Sequence, residues 1–418
     1  MIYMNNRNFF TFQIALISFF IFADQNLMGP NLTLIAQEFN IMDEKDQLLG
    51  GYIPLVFWIF GGAMTLFVGY FTDIIPRKNL FILIILIGEI PCLLSGFAET
   101  YMQFFILRVL TGIGIGGIIP LTYSLLGDLY SPNERIKVVT LIGLASGLGI
   151  AIGQLVAGFF GESIGWRFPF IIFAIPNFLL SILFYFTFKE PKRGIMDNMN
   201  ENFKISDLKN IFTLFKIKTN ILVFLQGIFG TIPWGVFSIF MIDYLVINKG
   251  YSKSISTFVI TLIGGMALIS SVIGGILGNK LYLKNPKYLP MLCGTSTIIG
   301  TIPTAFLINS PIYSNQNEIM LLIYASFTGI LIAMTAPNMK VILMNVNSPY
   351  KRGSVFSLYN FADDLGRGFG PFIIGNILIY NFGRNIAFNI ANMFWLICGL
   401  LILMMVWTFP KEDLNSKL

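Results

Sequence analysis

Long apolar runs alternate with short polar breaks along almost the whole 418-residue chain. A helix needs about 20 apolar residues to cross the hydrocarbon core of a bilayer. Runs of that size fall near 9–36, 48–71, 79–98, 101–128, 137–160 and 168–188, and after a polar stretch near 219–247, 256–279, 288–309, 319–346, 353–380 and 385–409. This pattern predicts an all-α membrane protein of twelve transmembrane helices in two groups of six. The corresponding domains are a bundle over 1–190, a linker over 191–218 and a second bundle over 219–418. The first run is longer than the apolar core of a signal peptide, carries Asp24 and ends without a small-residue cleavage pattern, so it predicts a retained helix.

The polar breaks orient these helices. With both termini cytoplasmic, the inner segments hold 19 of the 27 basic residues, among them Arg77, Lys78, Arg135 and seven between Lys189 and Lys218. The outer loops hold five, namely Lys45, Arg167, Lys249, Lys253 and Arg384, and Arg108, Lys340 and Arg367 lie within apolar runs. That asymmetry is the positive-inside pattern of a plasma (bacterial inner) membrane protein. In the linker, Ile205, Leu208, Ile211, Phe212 and Phe215 recur at helical spacing among lysines. Two readings stand side by side: a basic amphipathic helix lying on the inner membrane face, or a solvated linker.

Composition narrows the function. Hydrophobic residues make up 55%, charged residues 11%, and mean hydropathy is +0.75. A soluble globule is about a quarter charged, so nucleic-acid modules, coiled coils and disordered scaffolds are excluded, and the net charge of +6 reports topology alone. Cys92, Cys293 and Cys398 sit inside apolar runs as small hydrophobes, and the chain has no histidine. Neither a metal site nor a cofactor is expected, and an enzyme is disfavoured. The glycines from Gly112 to Gly117 mimic a dinucleotide fingerprint without a preceding strand. Gly161-Glu-Ser163-Ile-Gly165 mimics a nucleophile elbow in a chain that cannot build the usual triad.

The chain repeats itself. A shift of 217 residues carries Thr111-Gly112-Ile113 onto Thr328-Gly329-Ile330 and Pro120 onto Pro337. The same shift carries Ser131-Pro132 and Arg135 onto Ser348-Pro349 and Arg352, and Ala145, Leu148, Gly149 and Gly153 onto Ala362, Leu365, Gly366 and Gly370. Two halves repeated in the same orientation form a transporter architecture, in which the solute site lies between the halves.

At these residues the chain resembles the major facilitator superfamily. Gly69-Tyr-Phe-Thr-Asp73-Ile-Ile-Pro76-Arg77-Lys78 resembles that family's signature loop, with proline where glycine is usual at position 76. Arg108 followed by Gly112 resembles its second motif, and Gly143, Gly147, Gly149 and Gly153 its glycine-rich motif without the usual proline. Ala23-Asp24-Gln25-Asn26-Leu27 and Ser146-Gly147-Leu148-Gly149 resemble the spinster-type branch, which implies lysophospholipid or sphingolipid transport. Two positions depart from that branch: Gln25 stands where arginine is expected and Ile115 where glutamate is expected, both linked to proton coupling. The resemblance also implies that Gly69, Asp73, Arg77, Lys78, Asp128 and Arg135 form a cytoplasmic latch stabilising the outward-open state.

Charges inside a bilayer need a reason. Asp24 lies about 15 residues into the first run, roughly 22 Å deep at 1.5 Å per residue, as a solute or proton site or as a local pairing. On the eleventh run, Asp363 and Asp364 stand four and three residues before Arg367, so either carboxylate reaches the guanidinium. That group either loads and releases a proton or is a static cluster tied to Lys340. Lys340 and Arg367 together suit a phosphate or carboxylate. Arg108 is a coupling or gating residue, or one that snorkels to the outer face. Glu89, just before Pro91, reads as a structural or lipid-exposed protonated acid. Paired glycines (Gly112/Gly116, Gly143/Gly147, Gly149/Gly153, Gly366/Gly370) allow close helix approach.

These readings converge on a secondary active transporter moving a small, amphipathic, lysophospholipid-like anion by alternating access, driven by protons and acting as a monomer in the lipid bilayer. The alternatives are an organic-anion or sugar symporter on the same fold, an uncoupled facilitator, or a membrane sensor that binds solute without turnover.

Overall fold

The computed structural model describes residues 6–191, 213–311, 317–347 and 352–413, and among them all regular structure is helical. Eleven stretches are long and apolar enough to cross a membrane. The last, Ser354–Glu412, has 59 residues, enough for two crossings, and is broken at Gly383, whose φ of 78° and ψ of 163° are not helical. The first, Arg7–Glu38, is also composite. Helix α1 (Arg7–Ala23) gives way to short 3-10 turns at Asp24–Asn26 and Gly29–Asn31 before α2 (Leu32–Glu38). Pro30 lacks a backbone N–H and Gly29 is a poor helix former, which accounts for the break.

Then come α3 (Ile53–Ile74), α4 (Arg77–Ser95), α5 (Tyr101–Leu129), α6 (Pro132–Phe160) and α7 (Phe168–Thr187). The later helices are α8 (Lys218–Ile247), α9 (Lys253–Lys284), α10 (Tyr288–Ile308), α11 (Glu318–Ala333), α12 (Thr335–Val346), α13 (Arg352–Ile373) and α14 (Ile379–Glu412). Polar residues start several of them. Thr100 accepts from the Gln103 N–H at the head of α5, and Ser252 from the Ile255 N–H at the head of α9. Of the anticipated amphipathic helix over 205–215, residues 205–212 lie outside the described residues, and 213–216 form a short 3-10 turn.

The chain divides into two compact units, Met1–Met42 with Val56–Ser206, and Asp43–Leu55 with Asp207–Leu418. In the first, Ile14, Ile17 and Ile21 of α1 pack with Ile84 and Ile85 of α4 and Ile118 and Leu121 of α5. In the second, Val223 and Phe224 of α8 pack with Met339, Ile342 and Leu343 of α12 and Ile402 and Met405 of α14.

Glycines set the helix spacing, and they do so twice. A Cβ on Gly149 of α6 would lie 2.0 Å from the Phe19 carbonyl oxygen of α1, and one on Gly366 of α13 would lie 2.1 Å from the Ile228 oxygen of α8. Gly153 meets the Ala23 oxygen at 2.4 Å and Gly370 the Ile232 oxygen at 2.8 Å. Gly112 of α5 meets the Phe57 oxygen of α3 at 2.4 Å, as Gly329 of α11 meets the Ile263 oxygen of α9 at 2.4 Å. Each pair is related by the 217-residue shift, so the repeat in sequence is a repeat in packing. Gly143 differs from the expectation of close approach: a Cβ there meets nothing within 4 Å.

Thermal unfolding of the purified protein in detergent checks this packing. Gly149→Ala forces helix separation and is expected to cost roughly 1–3 kcal/mol, the usual price of overpacking. Gly143→Ala should leave the transition unchanged or slightly raised, and equal losses in the two variants would show that the helix contact does not set the spacing.

Candidate functional site

The break after α1 exposes backbone groups inside the first unit. Helix ends leave carbonyls without intrahelical partners, and the Asp24 carbonyl accepts from Arg108 Nη1 at 3.3 Å. Arg108, on α5, is only 2% exposed and does not snorkel. Its Nη2 donates to Thr111 Oγ1 at 2.8 Å, and its guanidinium lies 4.9 Å from the Phe170 ring centroid. Glu89 of α4 is 1% exposed, so it faces the protein and not lipid. The Asn177 side-chain amide of α7 donates to Glu89 Oε1. The Asp24, Glu89 and Arg108 charges act on one another, with Cys92 beside them. Both Asp24 carboxyl oxygens, Glu89 Oε2 and Arg108 Nε are buried without a hydrogen-bond partner. Gln25 is half-buried, with its Oε1 likewise unpartnered.

What brings Glu89 there is again a glycine contact. A Cβ on Gly114 of α5 would lie 2.3 Å from the Gly88 Cα of α4. The residue after Gly88 is thereby carried into the interior, and the adjacent pair Gly88-Glu89 was the signal available in the sequence.

The second unit holds the other group. Asp363 of α13 lies against α8, where a Cβ on Gly227 would come 2.6 Å from its Oδ1. The Asp363 carbonyl accepts from Thr231 Oγ1 at 2.7 Å. Arg367 and Lys340 act electrostatically on Asp363, and Arg367 on Asp364. The four residues predicted for this site therefore come together. Lys340 on α12 has an exposed side chain, in contrast to the sealed group of the first unit.

At the start of α4, Arg77 is a hub. It is 2% exposed and donates to Asp128 Oδ2 at 2.5 Å, to Glu190 Oε1 at 3.1 Å, and to the Ser124 and Pro191 carbonyls. The Lys78 ammonium lies 4.7 Å from the Tyr185 ring centroid, and its backbone N–H donates to Glu190 Oε2 at 3.1 Å. Burial alone would push the Glu190 carboxyl up, but the N–H of Lys78 and the side chain and N–H of Arg77 outweigh it and hold the group below its ordinary value. Arg135 donates instead to the Tyr130 and Gly127 carbonyls. Gly69 and Asp73 lie on α3, and the side chain of Asp73 lies outside what is described, and with it its part in the anticipated latch.

Two further ion clusters were missed from sequence. Arg7 of α1 makes a two-pronged contact with Glu134 of α6 at 2.8 and 3.1 Å. In the second unit Asp243, at the end of α8, pairs with Lys45 at 2.7 Å and with Arg384 at 2.8 Å, while Arg384 also grips Asp46 at 2.5 and 3.0 Å. Lys45 and Arg384 had been counted only as loop charges, and nothing local links them across 339 positions of sequence.

Comparison with known proteins adds four findings. The model of the Major Facilitator Superfamily matches residues 14–371 and 291–418. The chain is 24% identical over 357 residues to Multidrug resistance protein 3 of Bacillus subtilis, covering 74% of this chain and 68% of that one. It is 24% identical over 395 residues to the cis,cis-muconate transport protein of Acinetobacter baylyi, covering 91% of this chain and 89% of that one. Among solved structures, a bacterial homologue of the human lysosomal transporter Spinster, inward-facing and unoccupied, superposes with a TM-score of 0.81 at 19% identity, covering 97% of this chain and 98% of that one.

The Arg77 hub yields two expected outcomes. Arg77→Ala breaks the buried ion pairs to Asp128 and Glu190 and should cost roughly 3–5 kcal/mol, read as a lowered unfolding temperature. A carboxyl held below its usual value contributes stability that is fully present above the unfolded-state value near 4.5 and is lost as pH falls below it. Wild-type protein should therefore lose more stability than Glu190→Gln on acidification from pH 6 to about pH 3.5, and parallel losses would remove Glu190 from the hub.

Proposed function

The chain belongs to the major facilitator superfamily, and from that premise we propose a secondary active transporter that moves an amphipathic organic anion by alternating access, driven by protons. Its relatives are transport proteins, and the chain is an integral membrane transporter and not an enzyme. The observation that carries the finer reading is the group in the second unit. The exposed Lys340 stands beside Arg367, and two cations of which one is accessible suit a phosphate or carboxylate headgroup. The repeat sharpens this, because the positions matching Lys340 and Arg367 in the first half are Tyr123 and Ile150. A cation pair placed in one half alone answers a chemical need that packing does not impose.

The lysophospholipid-like solute is favoured by the spinster-type motifs and by the fold likeness to the Spinster homologue. Proton drive falls to Asp24 or to Asp363 and Asp364. Twelve spans with cytoplasmic termini in a plasma membrane accord with the 19-to-5 split of basic residues. The Arg77 hub, with Gly69, Asp73, Lys78, Asp128 and Arg135, serves as the cytoplasmic latch. A second reading, an organic-acid symporter, is favoured by the cis,cis-muconate relative, which the chain matches over nearly its whole length.

Purified protein in proteoliposomes tests both readings. Labelled lysophospholipid and cis,cis-muconate are offered with and without an imposed pH gradient. Gradient-stimulated lysophospholipid uptake that falls at least tenfold in Lys340→Ala is the expected result, a tenfold change being about 1.4 kcal/mol. Muconate uptake in its place overturns the lipid reading, and uptake indifferent to pH overturns proton drive.

A further inference from the structure

The two charged groups, one sealed and one partly exposed, carry different charge balances. In the second unit, Asp363 and Asp364 face Arg367 and Lys340, so the group is neutral with every member ionised. In the first unit, Asp24 and Glu89 face Arg108 alone, which leaves one negative charge in excess. That site is closed: Asp24 is 0%, Glu89 1% and Arg108 2% exposed. An uncompensated buried charge costs several kcal/mol even after relaxation. The excess must be met by something small enough to reach a sealed space.

We propose that Asp24 and Glu89 share one proton, held on Glu89, and that this pair and not the Asp363/Asp364 group is the protonation site of the transporter. The inference rests on the reading of the chain as proton-driven and locates the proton within it.

The hydrogen-bond inventory points to the same ligand. Asp24 Oδ1, Asp24 Oδ2 and Glu89 Oε2 have no hydrogen-bond partner of ordinary length, although each is buried, and the Cys92 thiol beside Asp24 is a weak donor. An ionised carboxylate is an acceptor only, and two such groups facing each other stay unsatisfied until one carries a hydrogen and donates it to the other. Asn177 fixes Glu89 through Oε1, which leaves Oε2 as the free oxygen. Arg108 biases the choice of member: it bonds the Asp24 carbonyl, and its charge acts on the Asp24 carboxylate. Asp24 is the ionised acceptor and Glu89 the neutral donor.

No other neighbour supplies the missing charge. Cys92 lies one turn beyond Glu89 on α4, and its thiol donates to the Phe170 carbonyl at 3.9 Å. Asn177 on α7 is neutral. Helix α6, which packs beside the turn at Asp24–Asn26, carries no charged residue between Val138 and Phe160. When the group opens to water, the Glu89 O–H bond breaks, the proton leaves to water, and both carboxylates stand ionised. Reloading forms that bond again.

Glu89→Gln keeps an oxygen for Asn177 and removes only the titrating group, so it is the variant of choice, with thermal unfolding as the folding control. Infrared difference spectroscopy across a pH titration reads protonated carboxyl groups without needing a solute. The expected result is a protonated-acid band in wild type that is absent in Glu89→Gln, shifted in Asp24→Asn and retained in the Asp363→Asn/Asp364→Asn double variant. A band that survives Glu89→Gln but vanishes in the double variant overturns the proposal, as does a band displaced by sodium at constant pH. In proteoliposomes with labelled lysophospholipid or cis,cis-muconate, Glu89→Gln should lose at least tenfold of gradient-driven accumulation while keeping solute counterflow. Wild-type accumulation in Glu89→Gln refutes the assignment of Glu89. Absence of any gradient response in wild type refutes proton drive itself, and the infrared band then still decides whether the pair holds a proton.

Discussion

A charge or an open backbone group shut away from water must find its partners in the protein, and the buried polar groups among the described residues are arranged around that constraint. Arg77 is surrounded by two carboxylates and two carbonyls. Lys45 and Arg384 converge on Asp243. Arg108 has a carbonyl, a hydroxyl and an aromatic face. Such pairs add little net stability over an apolar core, because desolvation offsets most of the attraction, yet losing one member is expensive. They act as conditions on the fold: each element must be in place, or a charge is left stranded.

The same absence of water removes the hydrophobic drive that holds soluble helices together, so close packing must replace it. Glycine serves here because a side chain would collide with a neighbouring carbonyl 2.0 to 2.8 Å away. This explains why the internal repeat survives where it does. Gly149 and Gly366, Gly153 and Gly370, and Gly112 and Gly329 each face the corresponding backbone in their own unit. Between those fixed points the two halves were free to diverge, and the charges of α13 arose there, opposite Ser146, Gly147 and Ile150 in the other half.

What the sequence revealed follows from these two constraints. Apolar length, basic asymmetry and the glycine repeat are local or periodic signals, and they exposed the all-helical class, the family and the close approach at Gly149 and Gly153. The grouping of Lys340 with Asp363, Asp364 and Arg367 was also legible, since three of the four share one helix face. Glu89 was not. Its role depends on the azimuth of α4, which the apolar run does not reveal because the run is hydrophobic on every side, so a buried acid and a lipid-facing acid look alike in it. The Lys45, Asp46, Asp243 and Arg384 network was hidden for a different reason. Its members lie in loops and at helix ends far apart in the chain, and the segment Asp43–Leu55 packs with the second unit although it precedes most of the first in sequence. Gly143 erred in the opposite direction, a glycine with the right spacing and no neighbour.

The break at Asp24 connects the backbone constraint to the charge constraint. Had α1 continued, the Asp24 carbonyl would bond within the helix and Arg108 would be free to turn both guanidinium edges on the carboxylates. Because the helix stops there, one guanidinium nitrogen is committed to the carbonyl and Nε is left in reserve. With a proton on Glu89, one negative charge faces one positive charge and the arrangement is balanced. Without it, a second carboxylate competes for Arg108, and the contact that yields most readily is the 3.3 Å bond to the carbonyl, the longest that the guanidinium makes. Losing that bond frees the Asp24 carbonyl, in a 3-10 turn that is buried beside α6. The proton count of the pair therefore bears on the backbone contact made at the break in the first span.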